Sequence, residues 1–159
     1  MNKMNPASSQ DEASGPAARK AWMSVLAKSN PKDLNAGLAA FGALPTFDWL
    51  RRPEIGGVMV RGRMGGTGTA FNLGEMTATR CSLRLESGEV GHAYVQGRDT
   101  RHAEQAAIVD AMMQGPNAAA VQAVVLTPLS EALATQRLKR AEKAAATKVD
   151  FFTMVRGED

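Results

Sequence analysis

Two hydrophobic periods divide the chain. From Pro16 to Lys28 apolar side chains recur three and four residues apart, at Ala18, Trp22, Val25 and Leu26, which predicts a helix with one buried stripe. Leu34, Leu38 and Phe41 repeat the pattern after Pro31. Ser29 or Asn30 can cap this second helix, Pro31 suits its first turn, and Gly42 with Pro45 ends it. The two form a helical hairpin. Phe47 to Pro53 reads only as a connection. The period then changes to two. Ile55 to Arg63 alternates as a strand, with Val58 and Val60 on one side and Met59, Arg61 and Arg63 on the other. Met76 to Leu85 is the clearest strand, with Thr77, Thr79, Cys81, Leu83 and Leu85 on one face and Arg80, Ser82 and Arg84 opposite. A turn at Glu86–Glu89 leads to a third strand, Val90 to Gln96. Helical spacing returns from Thr100 to Gln114, with Asp99 as cap and Gly115-Pro116 as stop. Asn117 to Leu126 fits helix or strand. A last helix is expected to start at a Thr127 cap with Pro128 in its first turn, burying Leu129, Leu133 and Leu138. Helices, then strands, then helices predict an α+β class: an antiparallel sheet of three or more strands, an N-terminal helical hairpin and C-terminal helices.

Two segments break the pattern. Arg63 to Glu75 contains four glycines in thirteen residues. It reads as a loop between strands, ordered by a tight turn or by close approach of its N–H groups to a ligand or partner. Val149-Asp150-Phe151-Phe152-Thr153-Met154-Val155 is apolar and β-prone after a polar helix. It can return to its own sheet as an edge strand or, the preferred reading, dock on a partner or dimer mate through Phe151, Phe152, Met154 and Val155.

With 159 residues the chain suits one domain, residues 16–159, after a leader at 1–15 that is polar and expected to be disordered. Aromatic residues are only 5%, so Ala, Val, Leu and Met must build the core. A net charge of +3 is too mild for a nucleic-acid surface, and the second helix carries one basic residue, Lys32, which argues against a DNA-reading helix-turn-helix. One cysteine excludes an internal disulfide and suits a reducing cytoplasm. No secretory h-region is visible at the start, and no apolar run approaches the roughly 20 residues needed to span a bilayer.

Candidate chemistry gathers at two junctions. The glycine stretch lacks the lysine of a phosphate-binding P-loop, and a strand follows it, so it is not a dinucleotide fingerprint. Arg61, Arg63, Arg80 and Arg84 would form a basic surface beside it if their strand faces coincide. At the second junction Asp99 caps a helix whose first turns hold His102 and Glu104, next to Arg98. His102, Glu104 and Glu75 are the catalytic candidates; Arg63, Gly65, Gly66, Thr67, Gly68, Arg80, Arg98 and Asp99 are the ligand or interface candidates. Each has a plainer role as cap, packed polar residue or solvated ion pair. Cys81, His92 and His102 have no metal-ligand spacing, and no metal site is expected.

The string RMGGTGxxFNLGE at Arg63–Glu75, TRC at Thr79–Cys81 and QGRDxxHAE at Gln96–Glu104 resembles the PhnG family. The likeness continues through Val109–Gln114 and Lys148–Val155 and covers roughly Ala18 to Val155; the leader lies outside it. It implies a subunit of the bacterial carbon–phosphorus lyase core complex, with PhnH, PhnI and PhnJ as partners, two copies in a two-fold assembly, and the ATPase-like PhnL. It implies support for a transferase step in phosphonate breakdown: an alkylphosphonate displaces adenine from ATP, giving ribose 1-phosphonate 5-triphosphate. ATP would be a co-substrate of the complex. This chain would hold no cofactor and act mainly through assembly, with no catalytic role attached to its matching positions. The rival readings are a stand-alone phosphate- or nucleotide-binding enzyme using Arg98, His102 and Glu104, and a homodimeric adaptor without ligand.

Overall fold

The computed structural model describes residues 15–147. The leader up to Ser14 and the tail at 149–156 lie outside the described residues. Helices α1 (Pro16–Lys28) and α2 (Pro31–Phe41) form the expected hairpin. Between them the Asn30 side chain, not Ser29, accepts from the Lys32 N–H and caps α2. Ser29 is buried instead, its hydroxyl donating to the Leu26 carbonyl.

The sheet is antiparallel in the order β1-β2-β3, with β1 at Phe47–Arg63, β2 at Ala70–Leu85 and β3 at Val90–Gln96. Phe47–Pro53, read as a connection, is the first part of β1. Arg52 and Pro53 have no paired partner in β2, and the register shifts between Arg51 and Glu54. Proline is tolerated there because β1 is an edge strand. The glycine stretch is also more regular than expected. Only its first part turns, through a short 3-10 segment at Met64–Gly66. Ala70 to Glu75 belongs to β2, because paired backbone holds even Gly74 in a strand.

Helix α3 (Thr100–Met112) lies across the sheet. Its buried residues join Cys81, Leu83, Leu85, Ala93 and Val95 from the strands and Trp22, Leu26, Leu34 and Leu38 from α1 and α2 in one core. Gly91 sets the spacing between α3 and β3. A Cβ there would stand 1.9 Å from the Ala107 carbonyl oxygen.

The final helix, α4, runs unbroken from Ala118 to Ala146. Asn117 to Leu126 is therefore helical after its first residue, and Thr127 is not a cap. Gln122–Leu126 is a π-turn, in which the Thr127 N–H donates to the Gln122 carbonyl. That wider turn accommodates Pro128, which has no N–H for a normal helical bond. Leu129 is buried as expected, but Leu138 is 65% exposed, because the second half of α4 leaves the core. By length and composition alone α4 is also long and apolar enough to cross a membrane, contrary to expectation. Its buried side chains, Val121, Val125, Leu126 and Leu129, belong to the common core.

Candidate functional site

The two polar junctions do not meet. β2 pairs with β1 from Leu85 to Ala70, yet with β3 only from Arg84 to Ala78. Beyond Ala78 the sheet narrows to a two-stranded arm, Gly57–Arg63 against Ala70–Thr77. At about 3.3 Å per residue the eight β2 residues of this arm span roughly 26 Å. Arg63, Gly65, Gly66, Thr67 and Gly68 are at its far end. Gly65 and Gly66 have φ of 59° and 83°, and the Gly68 N–H donates to the Met64 carbonyl at 2.8 Å. The Arg63 guanidinium donates to the Gly68 carbonyl at 3.2 Å. These glycines make the turn.

The second junction is at the base of the arm. The Gly97 N–H donates to the Thr77 carbonyl at 2.8 Å, and the Thr79 hydroxyl donates to the Gly97 carbonyl at 2.7 Å. Arg98 and Asp99 follow, and the Asp99 carboxylate accepts from the His102 N–H at 2.9 Å, capping α3. His102 is buried. Its Nε2 lies 2.9 Å from the Leu26 carbonyl oxygen, so this nitrogen carries the proton and donates, tying α3 to the end of α1. Glu104 is half-buried, and its charge is the second cause, after burial, of a Cys81 thiol pushed up to about 12. Glu75 is out on the arm, 3.6 Å from where a Gly57 Cβ would stand. The structure thus joins Asp99 with His102 and leaves Glu75 and the glycine tip apart from them. A cleft of about 340 Å³ beside His102 is lined by Lys28, Gln96, Asp99, Arg137 and Arg140. The two arginines of α4 were not singled out in the sequence, because only the course of α4 brings them there.

The strand arginines do not build one basic surface. Arg80 is held by Glu54 across the strand pair, at 3.3 Å, and Arg84 is opposite Asp48. Arg61 and Arg63 are out on the arm, opposite Asn72 and Ala70. Alternation puts Arg61 and Arg63 on the β1 face of Met59, and Val58, Val60 and Gly62 on the other.

That other face is the arm's distinctive feature. Phe71 pairs with Gly62, its ring 3.5 Å from where a Gly62 Cβ would stand, and the Leu73 Cβ is 3.8 Å from the same point. Leu73 is the extra residue where the register shifts between Val60 and Arg61. Val58 pairs with Met76 and completes an apolar strip. Phe71 remains 43% and Leu73 66% exposed, and Met64 projects at the tip. A two-stranded hairpin is marginal alone in water, and a contiguous exposed apolar strip marks an interaction surface. The sequence placed Phe71 and Leu73 inside a loop, so this face was missed. The alternation from Phe71 to Met76 was the available signal, obscured by Gly74 and the extra residue.

Among the described residues, no group of three or more His, Cys, Asp or Glu side chains is placed to hold a metal. Residues 17–157 match the family described as "Phosphonate metabolism protein PhnG". The chain is 42% identical, over 98% of its length and 99% of the relative's, to the alpha-D-ribose 1-methylphosphonate 5-triphosphate synthase subunit PhnG of Rhizobium meliloti (strain 1021). With its glycine-turned arm and Asp99-capped junction formed from the motifs that carry the likeness, this chain belongs to the PhnG family.

Proposed function

We propose that this chain is an assembly subunit of a phosphonate-processing synthase complex and engages its neighbours through the apolar face of the β1–β2 arm. The observation that carries this reading is the arm itself, which exposes Phe71, Leu73 and Met64 beyond the three-stranded sheet. The complex would use ATP and an alkylphosphonate, displacing adenine to give ribose 1-phosphonate 5-triphosphate. PhnH, PhnI, PhnJ and PhnL are the proposed partners, with two copies of this chain in a two-fold assembly in the cytoplasm. No cofactor of its own is expected. The stand-alone enzyme reading has less support, since His102 is occupied by the Leu26 carbonyl and Asp99 by the helix cap.

The test is purification of the tagged chain from its native cells under phosphate starvation, with the assembly weighed by native mass spectrometry. Phe71→Asp combined with Leu73→Asp should release the chain as a folded species by circular dichroism. Retention of the full assembly by this double variant would remove the arm from the interface. A wild-type chain purified without partners would defeat the subunit reading itself.

A further inference from the structure

A basic surface surrounds the start of α3 and has no role in the arm. Two clefts open there, of about 340 and 290 Å³, near the lower end of the roughly 300–1,000 Å³ of small-molecule sites. Pro31, Asp99 and His102 line both, so the clefts adjoin. Lys28 of α1 and Arg137 and Arg140 of α4 border the first, and Lys32 of α2 and Arg101 of α3 border the second. Among the described residues Asp99 is the single carboxylate lining either cleft, and it already accepts the His102 N–H. Asp33 lies with Lys139 in a neighbouring cleft. None of the five cations forms an ion pair among the described residues. Where they are held, neutral groups hold them: Lys28 donates to the Ser24 hydroxyl at 2.8 Å, and Arg101 to the Asn35 side-chain oxygen at 2.9 Å. All four helices thus bring positive charge to one place with a single carboxylate to offset it, which favours an anion.

A second observation lies deeper. His102 is 4% exposed, and its Nε2 is held by the Leu26 carbonyl at 2.9 Å. Its Nδ1 has no partner among the described residues. Yet no fully buried side-chain nitrogen there lacks one, so Nδ1 opens onto the clefts that His102 lines. From these features we infer that the adjoining clefts bind a polyphosphate chain. Its phosphoryl groups carry several negative charges in a row, matching cations spread over two clefts rather than gathered at one point. Arginine forks grip such oxygens two at a time, and lysines add point charges. A phosphoryl group is slim enough to reach a nearly buried ring nitrogen. Nδ1 can accept from P–OH or, once protonated, donate to a phosphoryl oxygen. This is a binding site, independent of the arm, and it uses neither Arg98 nor Glu104.

Titration calorimetry of the full chain at fixed ionic strength, with inorganic triphosphate as the probe, tests the inference. Saturable binding is expected, with ATP matching triphosphate because the phosphate chain is what is read. Arg137→Glu combined with Arg140→Glu should weaken both at least tenfold, a loss of about 1.4 kcal/mol or more. The two side chains are exposed on α4, so the fold should survive, as circular dichroism would confirm. Arg101→Gln, on the other cleft, should weaken binding as well. The His102 Nδ1 resonance in nitrogen NMR spectra should move on saturation. Equal affinity for sulfate would reduce the site to loose counter-ion attraction and overturn the inference. So would ATP binding without triphosphate binding, which would make the base the recognised group. Charge reversal that leaves triphosphate affinity intact but releases the chain from its assembly would also overturn it, by making the basic surface a protein contact.

Discussion

Asp110 offers the sharpest test of how this fold is held. It is 0% exposed in the middle of α3, yet its carboxylate is fully used. It accepts from the Arg19 guanidinium at 2.6 and 3.1 Å, from the Trp22 indole at 2.8 Å and from the His92 N–H at 2.8 Å. One side chain therefore ties α1, α3 and β3 together. Asp110→Ala strands two donors in the interior, the indole N–H and the His92 N–H. Each stranded donor costs about 1–3 kcal/mol, and breaking a buried ion pair costs about 3–5 kcal/mol. The Arg19 side chain is 31% exposed and can turn to water, so it adds little. About 4 kcal/mol is expected, a large share of the roughly 5–15 kcal/mol that stabilises a typical domain. For a chain of this size that lowers Tm by roughly 8–16 °C. Urea unfolding of the isolated chain, followed by far-UV circular dichroism, would read the loss. Arg19→Met tests the other contribution, because it leaves the buried carboxylate its two N–H donors but takes away its counter-charge. A loss below about 1 kcal/mol for Asp110→Ala would refute the stranded-donor reasoning. An equal loss for Arg19→Met would shift the weight to the ion pair.

Gly91→Ala should destabilise the chain by about 3 kcal/mol or more, since its Cβ would meet the Ala107 carbonyl at 1.9 Å and force α3 away from β3. Near-normal urea stability would show that the helix shifts freely. Cys81 should resist alkylation at pH 8 in the folded chain and react on unfolding, because burial first and Glu104 second push its thiol up to about 12. The unfolded thiol, near 9.0, loses its proton first, so stability should be unaffected below that pH and fall as pH rises from about 9 towards 12. A thiol reacting quickly at pH 8 without unfolding would contradict the burial. His102→Ala should lower stability by roughly 2–4 kcal/mol through the lost bond to Leu26 and the space left behind. Unchanged stability with lost turnover in the assembled complex would instead make His102 catalytic.

Local signals revealed most of the architecture. The apolar stripe with Trp22 and Leu26, the alternation from Thr77 to Leu85, and the turn before Val90 each use only neighbouring residues, and each formed as expected. The motifs at Arg63–Glu75 and Gln96–Glu104 likewise carried the family resemblance, which the comparisons bear out. Local chemistry misled where tertiary structure overrode it. Thr127-Pro128 has the composition of a helix start, but packing of Val125 and Leu129 into the core carries the helix through, with a π-turn in place of a cap. Gly74 suggested a loop, but cross-strand pairing with Val60 kept it extended.

By itself, the sequence determined the order and type of most elements and the family, because periodicity, caps and motifs are properties of adjacent residues. Only the tertiary structure decided that the glycine turn and His102 lie at opposite ends of an arm, that Arg80 faces Glu54, and that Asp110 joins Arg19, Trp22 and His92. Those relations depend on strand register and helix crossing, which bring together residues far apart in the chain. They also depend on how far β2 extends past β3, which leaves Phe71 and Leu73 exposed.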